Sequence, residues 1–150
     1  MRLFRTRREL GPAVQPVGVL DGCPRSELET IGSASRVVDV PAGSMLCEQG
    51  RLSLDCIIVE SGRAEVLVHG RRVATIRPGE TVGEMGVVQR APRSATVVAR
   101  DDMRVRVIPA SQLDRVMERA PTFARAVLRE VSARLSAANQ VRVAGDAVSA

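Results

Sequence analysis

Lysine, tryptophan and tyrosine are absent from this sequence of 150 residues, and histidine occurs once. Without lysine, neither Schiff-base catalysis nor the lysine-dependent P-loop mode of phosphate binding is available. The single histidine, His69, precedes Gly70 in a predicted hairpin turn, so neither a Ser-His-Asp triad nor a histidine-bearing metal site is expected. We therefore predict no metal ligands and expect neither a hydrolase nor a metalloenzyme.

Cysteines and long apolar runs are also scarce. Cys23, Cys47 and Cys56 are odd in number and lack C-x-x-C spacing, so neither a disulfide framework nor a zinc site is indicated. Cys56 precedes a β-branched run and is predicted to be a small core residue. The longest apolar runs are far too short for a membrane span, and residues 1–15 contain no apolar segment typical of a secretory signal. These absences favour a cytoplasmic protein without a membrane span.

Acidic residues are outnumbered, but the excess basic charge is local. The sequence has 22 basic residues, all arginine, against 17 acidic ones, and a formal net charge of +5. Residues 1–10 carry +3 of this charge, which leaves +2 for the other 140 residues. A continuous basic face typical of a DNA-binding domain is therefore not predicted. We interpret the N-terminal arm as a solvated terminus; contact with a nucleic acid or an anionic membrane is the alternative.

From residue 37 onward, short β-branched runs dominate the pattern. Turn residues such as Gly50, Gly62 and Gly79 separate these runs at intervals of about 8–12 residues, which is typical of a sandwich or barrel of seven or eight strands. A helical pattern at residues 25–31 precedes them, and another begins after Pro109. The predicted fold class is therefore mainly β with flanking helices.

Two helices are predicted after the strands, over residues 111–119 and 121–141. Phe123, in the second helix, is predicted to lie in the core. Further along this helix, apolar residues repeat at a spacing of three or four and form an a/d-like stripe of Leu128, Val131, Leu135 and Ala138. Two interpretations stay open at this point: the stripe packs onto the β-domain, or it forms the seam of a homodimer.

The segment from residue 79 to residue 99 carries residues suited to binding an anion. Gly83 and Gly86 flank a predicted helical turn, where backbone N–H groups can approach an anion closely. Arg93 adds a planar fork that can grip two phosphate oxygens. Glu84 suits a sugar hydroxyl beside the phosphate, or a bracing contact with Arg93. These features indicate a nucleotide or a sugar phosphate, although an arginine–glutamate pair beside glycines is also common as plain structure.

The same segment resembles the phosphate-binding cassette of cyclic nucleotide-binding domains, of the type found in the catabolite activator protein and in regulatory subunits of cAMP-dependent protein kinase. The family's cassette reads roughly F-G-E-[LIM]-[AG]-L, a few variable residues, and then P-R-[AST]-A-[TS]-V. Here residues 82–87 read VGEMGV and residues 92–97 read PRSATV, with Val82 in the aromatic position. Turn patterns before the cassette, at residues 41–44, 48–50, 57–62 and 77–80, also match the family, and the resemblance covers about residues 20–140.

The resemblance implies an eight-stranded β-roll with a cyclic nucleotide as its ligand. It implies that Arg93 pairs with the cyclic phosphate, that Glu84 accepts from the ribose 2′-hydroxyl, and that Asn139 lies where the exocyclic amine of the base is met. The full set of implied ligand-binding residues is Val82, Gly83, Glu84, Met85, Gly86, Val87, Arg93, Ser94, Ala95 and Asn139. Cyclic AMP is favoured over cyclic GMP. The resemblance also implies that no cofactor is needed and that no bond is broken, so no catalytic residues are expected and the chain is expected not to be an enzyme.

We therefore expect a basic arm and loop at residues 1–20, a cyclic nucleotide-binding domain at 21–141 and a tail at 142–150. The expected function is that of a stand-alone regulatory domain, in which the bound ligand repositions helix 121–141 and signals to a dimer partner or to an unknown effector protein. The residues after that helix are too few for a helix-turn-helix module, so no DNA-binding domain is expected in this chain. The alternative function is a protein-interaction module with a vestigial pocket that binds no nucleotide.

Overall fold

The computed structural model describes residue 14 and residues 16–52, 55–83 and 92–148, with side chains through residue 137. The first elements are a 3-10 turn, Gly18–Leu20, and helix α1, Arg25–Ala34. Eight strands follow: β1 Arg36–Val40, β2 Met45–Cys47, β3 Cys56–Ser61, β4 Ala64–Val68, β5 Arg71–Ile76, β6 Thr81–Val82, β7 Thr96–Ala99 and β8 Met103–Ile108. Helices α2, Ala110–Arg119, and α3, Pro121–Val148, complete the order. The predicted class, mainly β with flanking helices, is confirmed.

The strands form two antiparallel sheets of four strands each. Their orders are β1-β8-β3-β6 in the first sheet and β2-β7-β4-β5 in the second. Side chains on the inward faces of both sheets, among them Val59, Val66 and Val105, enclose a core inside the β-roll. Strand β6 is two residues long, lies at one edge of the first sheet and pairs only with β3 in that sheet. It leads directly into the first half of the predicted cassette.

A second core lies on the outward face of the first sheet, where the helices pack. Ile58 of β3 contacts a cluster that includes Ile31 of α1, Val116 of α2 and Phe123 of α3. Strand β3 is consequently buried on both faces, which explains its continuous apolar run. Phe123 and Cys56 are both fully buried, so the prediction that they are core residues is confirmed. The helices are thus attached to the sheet that contains β6.

Helix α3 begins at Pro121 and is capped by a side chain from another helix. The Oε1 atom of Glu27 accepts hydrogen bonds from the N–H groups of Thr122 at 2.8 Å and of Phe123 at 3.3 Å. A carboxylate in this position satisfies two N–H groups that have no partner within the helix and opposes the helix dipole. Helix α3 then extends to Val148, seven residues past its predicted end, so most of the predicted tail at 142–150 is helical. No proline interrupts those residues, and a single helical glycine costs only about 1 kcal/mol.

The apolar stripe of α3 is divided between two environments. Val131 packs against the second core, as the first interpretation requires. Leu128 and Leu135 instead have 65% and 48% of their surface exposed. They lie seven residues apart and therefore on the same side of the helix. None of the helices within the described ranges is long and apolar enough to cross a membrane.

The turn at residues 18–20 belongs to the folded domain, whereas residues 1–20 were expected to form an arm and loop. Val19 and Leu20 are buried in the second core. The N–H group of Val19 donates to the carbonyl oxygen of Gly79 at 3.0 Å, and a Cβ at Gly18 would overlap the backbone of Gly79. This contact fixes the turn that immediately precedes β6. The predicted arginine-rich arm at residues 1–10 lies outside the described residues.

Candidate functional site

Arg93 enters the site from a segment that is anchored before β7 begins. Its N–H group donates to the carbonyl oxygen of Arg51 at 2.9 Å, and its own carbonyl oxygen accepts from the N–H group of Gly50 at 2.8 Å. These reciprocal backbone bonds attach residue 93 to the loop after β2. The residue is only 5% exposed, so its guanidinium group lies within the protein. A buried arginine whose backbone is held on both sides is well placed for a fixed binding role.

Two backbone carbonyls orient the Arg93 guanidinium. One terminal nitrogen donates to the carbonyl oxygen of Gly83, at the end of β6. The other donates to the carbonyl oxygen of Asp55, just before β3, at 2.7 Å. Because the guanidinium group is planar and rigid, these two contacts define the plane of its fork. The structure therefore brings into contact Arg93 and Gly83, two of the residues that the cassette pattern names.

Gly83 is a position that requires glycine for two separate reasons. Its φ angle is +85°, in the left-handed region that other residues adopt only at a cost. A Cβ atom at this position would also overlap the terminal nitrogens and central carbon of the Arg93 guanidinium. The absence of a side chain therefore allows Arg93 to lie directly against the backbone at the end of β6.

The remaining predicted site residues fall into three groups. Val82 is 2% exposed and packs inside the β-roll, in the place that the family pattern gives to an aromatic residue. Ser94 is exposed and Ala95 is half-buried, both at the entrance to β7. Four cassette positions, Glu84, Met85, Gly86 and Val87, lie outside the described residues, as does the side chain of Asn139. The backbone of Asn139 lies in helix α3.

A contact between α3 and the strand that enters the cassette was not anticipated from the sequence. Glu130 of α3 accepts two hydrogen bonds from Thr81 of β6, and Arg134 donates to the carbonyl oxygen of the same residue. The spacing of Glu130 and Arg134 is a recognisable sequence signal for an ion pair within a helix. Nothing in the spacing identifies Thr81, which lies 49 residues before Glu130, as their shared partner.

Comparison with known proteins identifies the family of this chain. A family model described as a cyclic nucleotide-binding domain matches residues 37–120. The Pycsar effector protein XpPycTIR of Xanthomonas perforans is 28% identical over 119 residues, which cover 78% of this chain and 39% of that protein. This chain spans less than half the length of the curated relatives it matches.

Two solved structures resemble the fold closely. The catabolite activator protein of Thermus thermophilus superposes with a TM-score of 0.75 at 24% identity, over 85% of this chain and 63% of that chain. A cAMP-binding acyltransferase from Mycobacterium smegmatis superposes with a TM-score of 0.67 at 29% identity, over 81% of this chain and 39% of that one. The family model covers more than half of the sequence and includes both halves of the cassette. The chain therefore belongs to the family of cyclic nucleotide-binding domains.

Proposed function

We propose that this chain binds a cyclic nucleotide against Arg93 and Gly83, with cyclic AMP preferred over cyclic GMP, and acts as a regulatory module rather than as an enzyme. The observation that carries the proposal is the buried Arg93 guanidinium lying against the backbone at the end of β6. A cyclic phosphate bears a single negative charge and two free oxygens. One arginine fork matches this charge and can contact both oxygens.

On binding, the phosphate oxygens of the ligand would replace hydrogen-bond acceptors that Arg93 has in the ligand-free chain. Among the described residues, the two terminal nitrogens of Arg93 donate to neutral carbonyl oxygens, those of Gly83 and Asp55. A phosphate oxygen is a stronger acceptor for a guanidinium group because it carries charge. The Arg93 side chain is already largely desolvated and oriented, so it loses little further entropy when a ligand binds. Glu84 is the proposed acceptor for the ribose 2′-hydroxyl, and Asn139 the proposed contact for the base.

The output of binding is proposed to pass through α3 to a second protein surface. The names of relatives support such a role: one is an effector protein, and another is a cAMP-binding acyltransferase. On α3 itself, the exposed leucines Leu128 and Leu135 form an apolar strip on one side of the helix. In a two-fold dimer, the strip of one copy can pack against the same strip of the other. We assign it to the interface with a second copy of the chain, in line with the homodimer interpretation.

Isothermal titration of the full chain, freed of any nucleotide retained during purification, tests the proposal. Cyclic AMP is titrated first, followed by cyclic GMP and by cyclic nucleotides with the two pyrimidine bases. Saturable binding of cyclic AMP, tighter than that of cyclic GMP, is the expected result. Tighter binding of another base would contradict the stated preference, whereas no heat and no thermal shift with any of them would favour the vestigial-pocket alternative.

Variants of Arg93 identify the binding site in the same assay. Arg93→Ala removes the proposed charge partner of the phosphate and should cost about 2–5 kcal/mol, roughly 30-fold to several thousand-fold in affinity. Arg93→Lys keeps the charge but not the fork, so its affinity should fall between those of the wild type and the alanine variant. Arg100→Ala, at an exposed arginine beyond β7, is the matched control and should bind as the wild type does. Unchanged affinity in a folded Arg93→Lys or Arg93→Ala variant would refute the assignment.

A further inference from the structure

Strand β6 has one edge paired with a strand and one edge paired with side chains. Towards β3, the N–H group of Val59 donates to the carbonyl oxygen of Glu80 at 2.9 Å, and Thr81 stands opposite Ile58. On the other edge, where an edge strand normally presents free backbone groups, the N–H and carbonyl groups of Thr81 face α3. Thr81 is fully buried, so each of these polar groups requires a partner.

Glu130 and Arg134 of α3 supply those partners. The N–H group of Thr81 donates to Oε1 of Glu130 at 3.0 Å, and the Thr81 hydroxyl donates to Oε2 of Glu130, also at 3.0 Å. A terminal nitrogen of Arg134 donates to the carbonyl oxygen of Thr81 at 2.7 Å. Both oxygens of one carboxylate and one guanidinium therefore hold a single residue of β6. We call this set of three residues the Thr81 clasp.

The two helix residues also hold each other. A terminal nitrogen of Arg134 lies 2.5 Å from Oε1 of Glu130, one helical turn away, and 3.8 Å from Oε2 of Glu80. The Glu130 side chain is 15% exposed and the Arg134 side chain 36%, so water weakens this pair less than it would a fully exposed one. Because each residue orients the other, the clasp acts as a unit that is fixed on α3.

We infer that Glu130 and Arg134 are positioning residues that make α3 and the entrance to the cassette move together. The inference deepens the proposed function and rests on it. Thr81 is two residues before Gly83, whose carbonyl oxygen contacts Arg93. A backbone shift at Gly83 that extends to Thr81 either carries α3 with it or breaks the hydrogen bonds of the clasp. Such a link transmits binding because it changes the relative free energies of two helix positions.

Amide hydrogen exchange in the ligand-free chain tests whether the clasp exists in solution. Glu130→Gln preserves the shape of the side chain but removes its charge, and should accelerate exchange at Thr81 and Val82 about tenfold. Glu60→Gln is the matched control, because Glu60 is a 9%-exposed carboxylate that pairs with Arg106 at 2.7 Å on the same sheet. That control should leave exchange at Thr81 within about threefold of the wild type. Equal exchange in the wild type and in Glu130→Gln would overturn the inference.

The same measurement with saturating cyclic nucleotide tests transmission. In the wild type, the nucleotide should change exchange along α3 as well as at the cassette. Glu130→Gln and Arg134→Met should still bind nucleotide, with affinity within about threefold of the wild type, but lose at least half of the exchange response in α3. Arg134→Lys keeps a donor for the Thr81 carbonyl and should recover part of that response, a rescue that a purely stabilising role would not produce.

Two outcomes separate failure of the inference from failure of the proposed function. If nucleotide binds and the α3 response persists undiminished in both variants, the clasp does not transmit binding and the inference is overturned. If the wild type binds no nucleotide, the proposed function fails, and the claim of transmission fails with it. In that second case, Glu130→Gln should still accelerate exchange at Thr81 in the ligand-free chain. That result would show that the clasp exists even though no nucleotide binds.

Discussion

The carbonyl oxygen of Gly83 accepts a hydrogen bond from the guanidinium of Arg93, ten residues later in the chain. The two residues lie in direct contact at the proposed ligand site, because one follows β6 and the other precedes β7. The contact is possible only because residue 83 has no Cβ atom. Arginine and glycine at these positions therefore act as one structural unit: the glycine creates the space that the arginine side chain occupies.

Replacing Gly83 by alanine should damage binding more than stability. At φ +85° an alanine is strained, and its Cβ would in addition displace the Arg93 guanidinium. We expect cyclic nucleotide affinity to fall at least about tenfold, measured by titration, because Arg93 can no longer adopt its fixed orientation.

Gly70→Ala is the matched control: Gly70 has φ +77° with nothing within 4 Å of an added Cβ. It should lose about 1–2 kcal/mol of stability from backbone strain but bind normally. Equal affinities for the two variants would contradict the proposed role of Gly83.

The Glu27 cap on α3 predicts a difference between two glutamates of the same helix. Glu27 is 5% exposed and accepts two N–H groups of α3, so Glu27→Gln should lower the free energy of unfolding by about 1–2 kcal/mol. Glu29, also in α1, forms only an exposed pair with Arg25 at 3.0 Å. Glu29→Gln should therefore cost less than about 0.5 kcal/mol. Urea denaturation of both variants measures the difference, and equal losses would show that the cap does not stabilise α3.

The overall architecture was predictable from the sequence because its signals are local. Turn residues between β-branched runs predicted seven or eight strands, and the cassette pattern named Gly83 and Arg93, which lie in contact. Contacts between distant segments were not predictable in the same way. The Asp55 carbonyl that holds Arg93 is a backbone group, so the identity of residue 55 gives no indication of it. Likewise, the spacing of Glu130 and Arg134 indicated an ion pair but not its target.

The end of α3 was misplaced for a related reason. Residues 142–148 carry no proline, and Gly145, a residue type that often follows a helix end, lies within α3. The predicted end at residue 141 lies just past Ala138, the last residue of the predicted apolar stripe. The division of that stripe into buried and exposed residues was likewise not predictable from its spacing. Only the position of α3 on the first sheet decides that Val131 packs inward while Leu128 and Leu135 remain exposed.

Cys23 provides a prediction about pH. Burial raises the pKa of the Cys23 thiol above its ordinary value of 9.0, and the nearby carboxylates Glu27 and Asp21 raise it further. Because the folded state disfavours the thiolate, the contribution of the protonated Cys23 thiol to stability is fully present below the pKa of the unfolded chain. That contribution is lost as the pH rises through the pKa of the folded chain. The wild type should therefore lose stability relative to Cys23→Ala as the pH rises from about 8 to about 10. Urea midpoints at the two pH values measure it, and a constant difference would contradict the raised pKa.

The exposed leucines of α3 lead to a prediction about assembly. Leu128 and Leu135 lie on one side of the helix, so in a two-fold dimer each would be buried twice, once in each copy. Burying one leucine side chain contributes about 1.5–3 kcal/mol, so Leu135→Glu should raise the dissociation constant of the dimer at least about 100-fold. Sedimentation velocity over a range of concentrations measures this change. Val73→Glu is the matched control, since Val73 is 59% exposed on the edge strand β5, in the sheet that does not carry the helices, and should leave the dimer intact. A wild-type chain that stays monomeric throughout would overturn the homodimer.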